Sequence, residues 1–234
     1  MKVQNRMKKA AAFLSVASLL VVASACGDTP TLPPDQVIQK AGPAMQNANS
    51  FHFTMDTSKV AKPPPGIFLV GVDGDVAKPN KLAGDVSATY SGIPIKIQVV
   101  VDGENQYWTD PTSGKWAPMP TALDMASFFD PSKGIADILA SVKDLTSDGT
   151  EKIDGKDTYR LKGTVPATAL KSLSSEVTAT SDLSTTLWIG NDDFLLRRVQ
   201  LNGPLMSGEP DNVVRTINIK DYNKDVKIET PVVK

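Results

Sequence analysis

The hydrophobic and polar positions of this 234-residue chain change from a helical period to a strand-like period near residue 50. Residues 35–50 follow Pro33-Pro34, which favours a helix start, and their apolar side chains recur at helical spacing. The apolar positions on this face are Val37, Ile38, Ala41, Ala44, Met45 and Ala48. Because proline removes a backbone hydrogen bond inside a helix, we expect Pro43 to kink or split this segment.

Strand-like alternation begins with Phe51, Phe53 and Met55, which are separated by polar residues. The clearest strand face occupies residues 93–101 and consists of Ile93, Ile95, Ile97, Val99 and Val101. Further strands are predicted at residues 67–76, 81–90, 106–109, 158–165, 183–189, 194–201, 213–222 and 226–228.

Tight turns connect these predicted strands, and Asp102-Gly103 and Asp154-Gly155 are the strongest hairpin signals. Helical spacing returns at residues 121–129, after Asp130-Pro131 and at residues 166–175. Strands joined by hairpins, with helices inserted in groups, indicate an α+β fold with one large antiparallel sheet in a single domain.

The N-terminal segment has a basic start, an apolar run at residues 10–22 and small residues at 23–25. The apolar run is too short to span a bilayer comfortably. Cys26, the only cysteine of the chain, follows directly and resembles the lipidated cysteine of a bacterial lipobox, although Ala23 stands where leucine or valine is usual. The alternative is an ordinary secretory signal cut near Ala25. We prefer the lipoprotein interpretation because a lone cysteine at this place has no other obvious use.

This interpretation divides the chain into a signal peptide over residues 1–25, a lipidated tether over residues 26–34 and one domain over residues 35–234. A diacylglycerol on Cys26 would hold the domain on the outer face of the cell membrane without a transmembrane helix, because each buried methylene contributes about 0.8 kcal/mol. The eight residues after Cys26 extend at most about 28 Å, so the domain is expected to stay close to the bilayer.

The charge balance argues against nucleic acid as a partner. The chain has 25 basic and 26 acidic side chains, and four basic ones (Lys2, Arg6, Lys8 and Lys9) lie in the signal segment. From residue 26 onward, 21 basic side chains therefore face 26 acidic ones, a net charge of −5. Such a surface does not favour nucleic acid and is mildly repelled by an anionic membrane. About 200 residues without a possible disulfide are ample for one domain stabilised by a core.

No group of residues in the sequence has the pattern of a catalytic or cofactor site. His52 is the only histidine and has neither a cysteine nucleophile nor a serine motif beside it, so we interpret it as structural. Zinc-ligand clusters and phosphate-binding glycine loops are both missing from the sequence. The Asp192-Asp193 pair lies in a predicted hairpin turn, where aspartate is favoured for backbone reasons. The sequence thus predicts no enzyme, no metal and no cofactor.

Apolar side chains are the remaining candidates for a functional site. The strand candidates are Ile93, Ile95, Ile97, Val99, Leu187 and Ile189, and the helix candidates are Phe128, Phe129, Ile135, Ile138 and Leu139. These residues either fill a core or line a cavity between the sheet and the helices. Residue types alone give no preference between the two.

A resemblance to a known family bears on this choice. The blocks that carry it are residues 50–53, 153–163, 187–190, 195–199, 203–204 and 221–222, together with Val226. In their order and spacing after a lipobox, these blocks resemble the actinobacterial LppX/LprG-type lipoproteins. The resemblance implies a U-shaped antiparallel half-barrel with helices on its concave side, similar in shape to the periplasmic carriers LolA and LolB.

The same resemblance implies a hydrophobic cavity that holds acyl chains of lipids or glycolipids on their way to the outer envelope. It brings no catalytic residues. The implied partners are the lipid ligand and the membrane that holds the Cys26 anchor, with a membrane lipid exporter as a further candidate. The alternatives are an envelope scaffold with a solid core and a protein ligand and, more remotely, a hydrolase.

Replacing Cys26 with serine removes the only thiol of the chain, so we expect the variant to lose its lipid and to leave the membrane. Cell fractionation measures this directly. A Cys26→Ser protein that stays as membrane-bound as the wild type contradicts the anchor.

Overall fold

The computed structural model describes residues 32–60, 62–63, 66–119, 134–171 and 177–233. The helices are α1 (Pro34–Asn47), α2 (Gly134–Ser141) and α3 (Ala167–Lys171). The strands are β1 (Ser50–Ser58), β2 (Ile67–Ala77), β3 (Lys81–Tyr90), β4 (Ile93–Asp102), β5 (Asn105–Thr109), β6 (Trp116–Pro118), β7 (Lys143–Ile153), β8 (Lys156–Val165), β9 (Leu183–Gly190), β10 (Leu196–Asn202) and β11 (Val214–Lys220).

All of these strands form one open antiparallel sheet, in the order β6-β5-β4-β3-β2-β1-β11-β10-β9-β8-β7. Every neighbouring pair is consecutive in the chain except β1 and β11, which join two meanders at the centre of the sheet. Short turns explain the meanders. At the β7–β8 turn, Asp154 and Gly155 have φ values of 48° and 78°, the left-handed conformation that a tight two-residue hairpin requires. The result is the predicted half-barrel with helices on its concave face.

The core lies between the concave face of the sheet and the helices. Phe51 and Phe53 of β1 are fully buried, and their rings meet edge to face with centroids 6.5 Å apart. Gly74 of β2 and Gly84 of β3 are cross-strand partners beside Phe53. A Cβ atom on Gly74 would lie 2.7 Å from the carbonyl oxygen of Ala83 and 3.3 Å from the Phe53 ring. The absence of a side chain at Gly74 therefore leaves the space that Phe53 occupies.

Helix α1 covers one end of the sheet, which we call the helix end. The Lys40 ammonium lies 4.7 Å from the ring centroid of Phe194, in the β9–β10 turn. Lys78, in the β2–β3 turn, donates a hydrogen bond to the carbonyl oxygen of Gln46. Tyr222 follows β11 at the same end, and its hydroxyl donates to the carbonyl oxygen of Leu196. Burial raises the pKa of this hydroxyl, so it stays protonated as the donor.

Pro43 was expected to kink or split the first helix, and it does not split it, since α1 continues through Pro43 to Asn47. A proline clashes with the Cβ atom of the preceding residue in a helix, and here the preceding residue is Gly42, which has no Cβ. The helix therefore tolerates Pro43 at the cost of one backbone hydrogen bond.

The predicted strand at residues 226–228 is also wrong. This segment has no regular structure, and its Val226 and Ile228 side chains pack beside Val100 instead. The strand before it, β11, is already paired on both sides by β1 and β10, so the following chain finds no free edge there. The predicted helix at residues 121–129 and the whole signal and lipobox segment lie outside the described residues.

Gly74→Ala is expected to lower the free energy of unfolding by about 1–3 kcal/mol, because the new methyl group overlaps the Ala83 carbonyl oxygen and displaces Phe53. Denaturant unfolding measures the loss. The matched control is Asp73→Ala, one residue earlier in β2, where the side chain is 68% exposed and a change within about 0.5 kcal/mol is expected. Equal stability of the two variants would show that Gly74 is not required for packing.

Candidate functional site

An apolar cavity of about 110 Å³ lies between the concave face of the sheet and α2. Its lining residues are Phe51, Phe53, Met55, Ile135, Ile138, Leu139, Val165, Leu170, Thr185, Leu187, Leu196, Val199, Leu201, Leu205, Arg215, Ile217 and Ile219. Apolar cavities of roughly 150 Å³ in other proteins stay dry and accept molecules the size of benzene. This space is therefore suited to a segment of a hydrocarbon chain.

One row of side chains across four strands forms the base of the cavity. Strand register places Met55 opposite Ile217, Ile217 opposite Val199, and Val199 opposite Leu187. Val199 and Ile217 lie at the centre of the sheet and yet keep part of their surface exposed. They are only partly buried because they face the cavity instead of a tightly packed neighbour.

Helix α2 closes the cavity on the opposite side. Ile135, Ile138 and Leu139 fall on one face of this helix at the i, i+3 and i+4 spacing, and all three line the space. Leu139 is 1% exposed and belongs to the main core cluster, whereas Ile135 and Ile138 are partly buried. One helical turn thus joins the packed core to the cavity wall.

Two polar residues line the cavity, and the protein engages their polar groups except for Nη1 of Arg215, which is buried without a hydrogen-bond partner. Thr185 donates its hydroxyl hydrogen bond to the carbonyl oxygen of Gln200, at 3.1 Å. The guanidinium of Arg215 forms an ion pair with Glu209, and the two side chains are 4% and 0% exposed. Because these polar atoms are buried, the wall that a guest would contact is apolar.

The Arg215–Glu209 ion pair also holds the loop between β10 and β11. Oε2 of Glu209 accepts hydrogen bonds from the backbone N–H groups of Leu205, at 2.8 Å, and Met206, at 3.2 Å. Leu205 is thereby fixed in the cavity wall. Removing one partner of such a buried pair is expected to be strongly destabilising, because the other charge would stay buried without compensation.

The cavity extends toward the end of the sheet opposite α1, which we call the loop end. The β1–β2 loop, the β3–β4 turn and the β10–β11 loop lie at this end, since Ser58 and Asn202 both pair with Val214 and Ile67 pairs with Tyr90. The β10–β11 loop is tied to the segment before β9, where the Thr178 N–H donates to the carbonyl oxygen of Leu205 at 2.9 Å. Of these loops, the β10–β11 loop contributes a lining residue of the cavity, Leu205.

The sequence-derived cavity candidates fall into four groups. Ile135, Ile138, Leu139 and Leu187 line this cavity. Ile97, Val99 and Ile189 are buried in the main core cluster but are not among its lining residues. Ile95 is partly buried and Ile93 is 66% exposed at the loop end. Phe128, Phe129 and Cys26 lie outside the described residues.

Sequence reasoning missed the contribution of β10 and β11 to the cavity. Ile217 and Ile219 alternate with polar residues and Val199 lies on the neighbouring strand, so the strand period could have identified them. Arg215 and Glu209 gave no such signal, because isolated charged residues in a strand and a loop are common on surfaces.

Two further clusters of ionisable groups lie on the convex face. Nδ1 of His52 lies 3.0 Å from Oδ1 of Asp75, its cross-strand partner. Glu151 accepts hydrogen bonds from Nε1 of Trp188, at 2.7 Å, and from Arg160, at 3.2 Å. These two hydrogen bonds, with the Trp188 bond the larger cause, lower the pKa of the Glu151 carboxyl. Among the described residues, no three or more His, Cys, Asp or Glu side chains group as a metal site, and no helix is long and apolar enough to cross a membrane.

These observations define a class of protein with an open antiparallel half-barrel and an apolar cavity between the sheet and a helix. The sequence matches the family model of the LppX_LprAFG lipoproteins over residues 33–228, and the chain belongs to this family.

Relatives and solved structures agree with this assignment. The lipoarabinomannan carrier protein LprG of Mycobacteroides abscessus is 26% identical over 234 residues, which cover 97% of this chain and 99% of the relative. The LprG of Mycolicibacterium smegmatis is 28% identical over 232 residues, 94% of each chain. The crystal structure of LprF from Mycobacterium bovis superposes with a TM-score of 0.67 at 19% identity, over 85% of this chain and 96% of that one. The crystal structure of LppX from Mycobacterium tuberculosis superposes with a TM-score of 0.60 at 23% identity, over 83% of this chain and 97% of that one. These two structures show the same fold.

Val199→Trp is expected to leave the free energy of unfolding nearly unchanged, because the larger ring enters the cavity. Ile189→Trp is the control: Ile189 is fully buried, and enlarging it is expected to cost about 1–3 kcal/mol or more. Denaturant unfolding of both variants compares the two sites. A Val199→Trp protein that loses as much stability as Ile189→Trp would show that the space is already filled.

Proposed function

We propose that this protein is a membrane-anchored lipoprotein that binds acyl chains of lipids or glycolipids in its hydrophobic cavity and carries them across the cell envelope. The observation that carries the proposal is the apolar cavity over the centre of the concave sheet face. Membership in the LppX_LprAFG family and the carrier names of the LprG relatives support it.

The chemistry of the wall favours hydrocarbon over a polar head group. Each acyl methylene transferred from water into such a wall contributes about 0.8 kcal/mol. Thr185 is hydrogen-bonded to Gln200 and Nη2 of Arg215 to Glu209, and the unpartnered Nη1 of Arg215 is buried, so the wall presents no accessible polar surface to a head group. The head group of a bound lipid would therefore stay outside this cavity, toward the loop end.

The division of the chain proposed from the sequence fits this role. A signal peptide over residues 1–25 would direct export, and Cys26 would carry the diacylglycerol that anchors the protein on the outer face of the cell membrane. The tether over residues 26–34 would keep the domain of residues 35–234 close to the lipid it loads. A membrane lipid exporter would receive or supply that lipid.

The rival interpretation is an envelope scaffold with a solid core. The partly exposed Val199 and Ile217 at the centre of the sheet favour the carrier, because a solid core would cover them with packed side chains. We propose no enzymatic activity: the only histidine, His52, lies between aspartates on the convex face, away from the cavity.

Native mass spectrometry tests the carrier function. The Cys26→Ser protein, secreted by an actinobacterial host and purified without detergent, is expected to retain lipids with long acyl chains. The same protein with Val199→Trp added is expected to retain much less, because the indole occupies the space of the chain.

Ser87→Trp, on β3 and away from the cavity lining, is the control that adds a tryptophan without filling the cavity. Two results would contradict acyl-chain binding at this site. One is that no lipid is recovered with the Cys26→Ser protein, and the other is that adding Val199→Trp leaves lipid retention intact.

A further inference from the structure

The turn between β3 and β4 exposes apolar side chains at the loop end. Five large hydrophobic side chains are exposed among the described residues, and three of them, Val70, Tyr90 and Ile93, belong to β2, β3 and β4 at this end. Tyr90 is 57% and Ile93 is 66% exposed, and the two are cross-strand partners beside the turn. Concentration at one place distinguishes this patch from scattered surface hydrophobics.

The exposed residues continue the apolar stripe of the core into solvent. Along the concave face of β4, Ile97 is 9% exposed, Ile95 is partly buried and Ile93 is 66% exposed. The turn itself is a tight one, with φ values of 49° at Ser91 and 84° at Gly92. The stripe therefore ends on a rigid hairpin tip at the same end of the sheet as the cavity loops.

The chain segments that form this tip carry positively charged side chains and no negatively charged ones. Residues 57–72 and 86–101 contain Lys59, Lys62 and Lys96 and no aspartate or glutamate. All three lysines are exposed, and no ion pair engages them within the part of the chain that the structure describes. Since the chain from residue 26 onward has a net charge of −5, the tip is a basic region on an acidic protein.

We propose that this tip, defined by Tyr90, Ile93, Lys59, Lys62 and Lys96, docks on the surface of a bilayer that contains anionic lipids. Exposed apolar side chains next to lysines favour the interfacial region of such a bilayer, and tyrosine is enriched there. The acidic remainder of the protein is repelled, so the field orients the loop end toward the membrane. This role rests on the proposed lipid carriage, because it places the loop end of the cavity where acyl chains enter or leave.

A fluorescent label at the tip tests docking independently of the N-terminal segment. In the full chain with Cys26→Ser, Pro94→Cys places the only thiol beside the tip, and Glu104→Cys places it at the opposite end of β4 as the control. Vesicles of phosphatidylglycerol and phosphatidylcholine are expected to shift the label at residue 94 to the blue and to expose it to lipid-borne quenchers. The label at residue 104 is expected to stay in water. Equal responses of the two labels, or none, would overturn the proposal.

Charge-reversal variants distinguish the effect of the lysines at the tip from the effect of the net charge of the protein. Lys59→Glu, Lys62→Glu and Lys96→Glu together are expected to weaken the response at residue 94 by at least about tenfold, and high salt is expected to do the same. The matched control reverses three exposed lysines elsewhere, at Lys115, Lys156 and Lys227. An equal loss in both triple variants would overturn the role of the tip. A response that grows with protein concentration in the absence of vesicles would instead identify a second copy of the chain as the occupant.

Native mass spectrometry on the same labelled proteins distinguishes membrane docking from lipid binding in the cavity. Bound acyl lipid without a response at residue 94 overturns the docking proposal alone. A response at residue 94 in a protein that never holds lipid supports docking and contradicts the carrier function.

Discussion

The pairing of the first strand with the last one is the contact on which the rest of this fold depends. β1 and β11 are separated by most of the chain, and they pair from His52–Lys220 to Ser58–Val214. Without this contact the chain would form two separate meanders, β1 to β6 and β7 to β11. The cavity base needs it directly, because Met55 of β1 and Ile217 of β11 are neighbours in that base.

An unfilled space at the centre of the sheet lowers the stability of the protein. A cavity at that position therefore suggests a functional role. Side chains beside a void lose dispersion contacts, and the loss grows with the volume of the void. Val99 and Ile189, elsewhere on the same face, are buried in the core outside the cavity, so the sequence is able to pack this face tightly. Local departures from good packing are expected at functional sites. The cavity beside Val199 and Ile217 is such a departure.

Periodicity predicted most of the sheet because alternating burial and tight turns are local properties of the sequence. It could not separate cavity from core, since Ile97 and Ile217 have the same side chain and both lie on the concave face, and only Ile217 lines the cavity. The Arg215–Glu209 pair was invisible for a similar reason, because burial of the two charges depends on how the β10–β11 loop folds back. The apolar residues at 226–228 wrongly predicted a strand, because strand formation also requires a free edge to pair with, and β11 has none.

The central claim is that an acyl chain lies against the row formed by Met55, Ile217, Val199 and Leu187. Nuclear Overhauser measurements on methyl-labelled protein loaded with a long-chain lipid test this most directly. The account predicts contacts from acyl methylenes to the methyl groups of Ile217 and Val199, and none to those of Ile189, which is buried outside the cavity. Acyl contacts confined to surface methyl groups such as those of Val232, or no contacts at all, would contradict it.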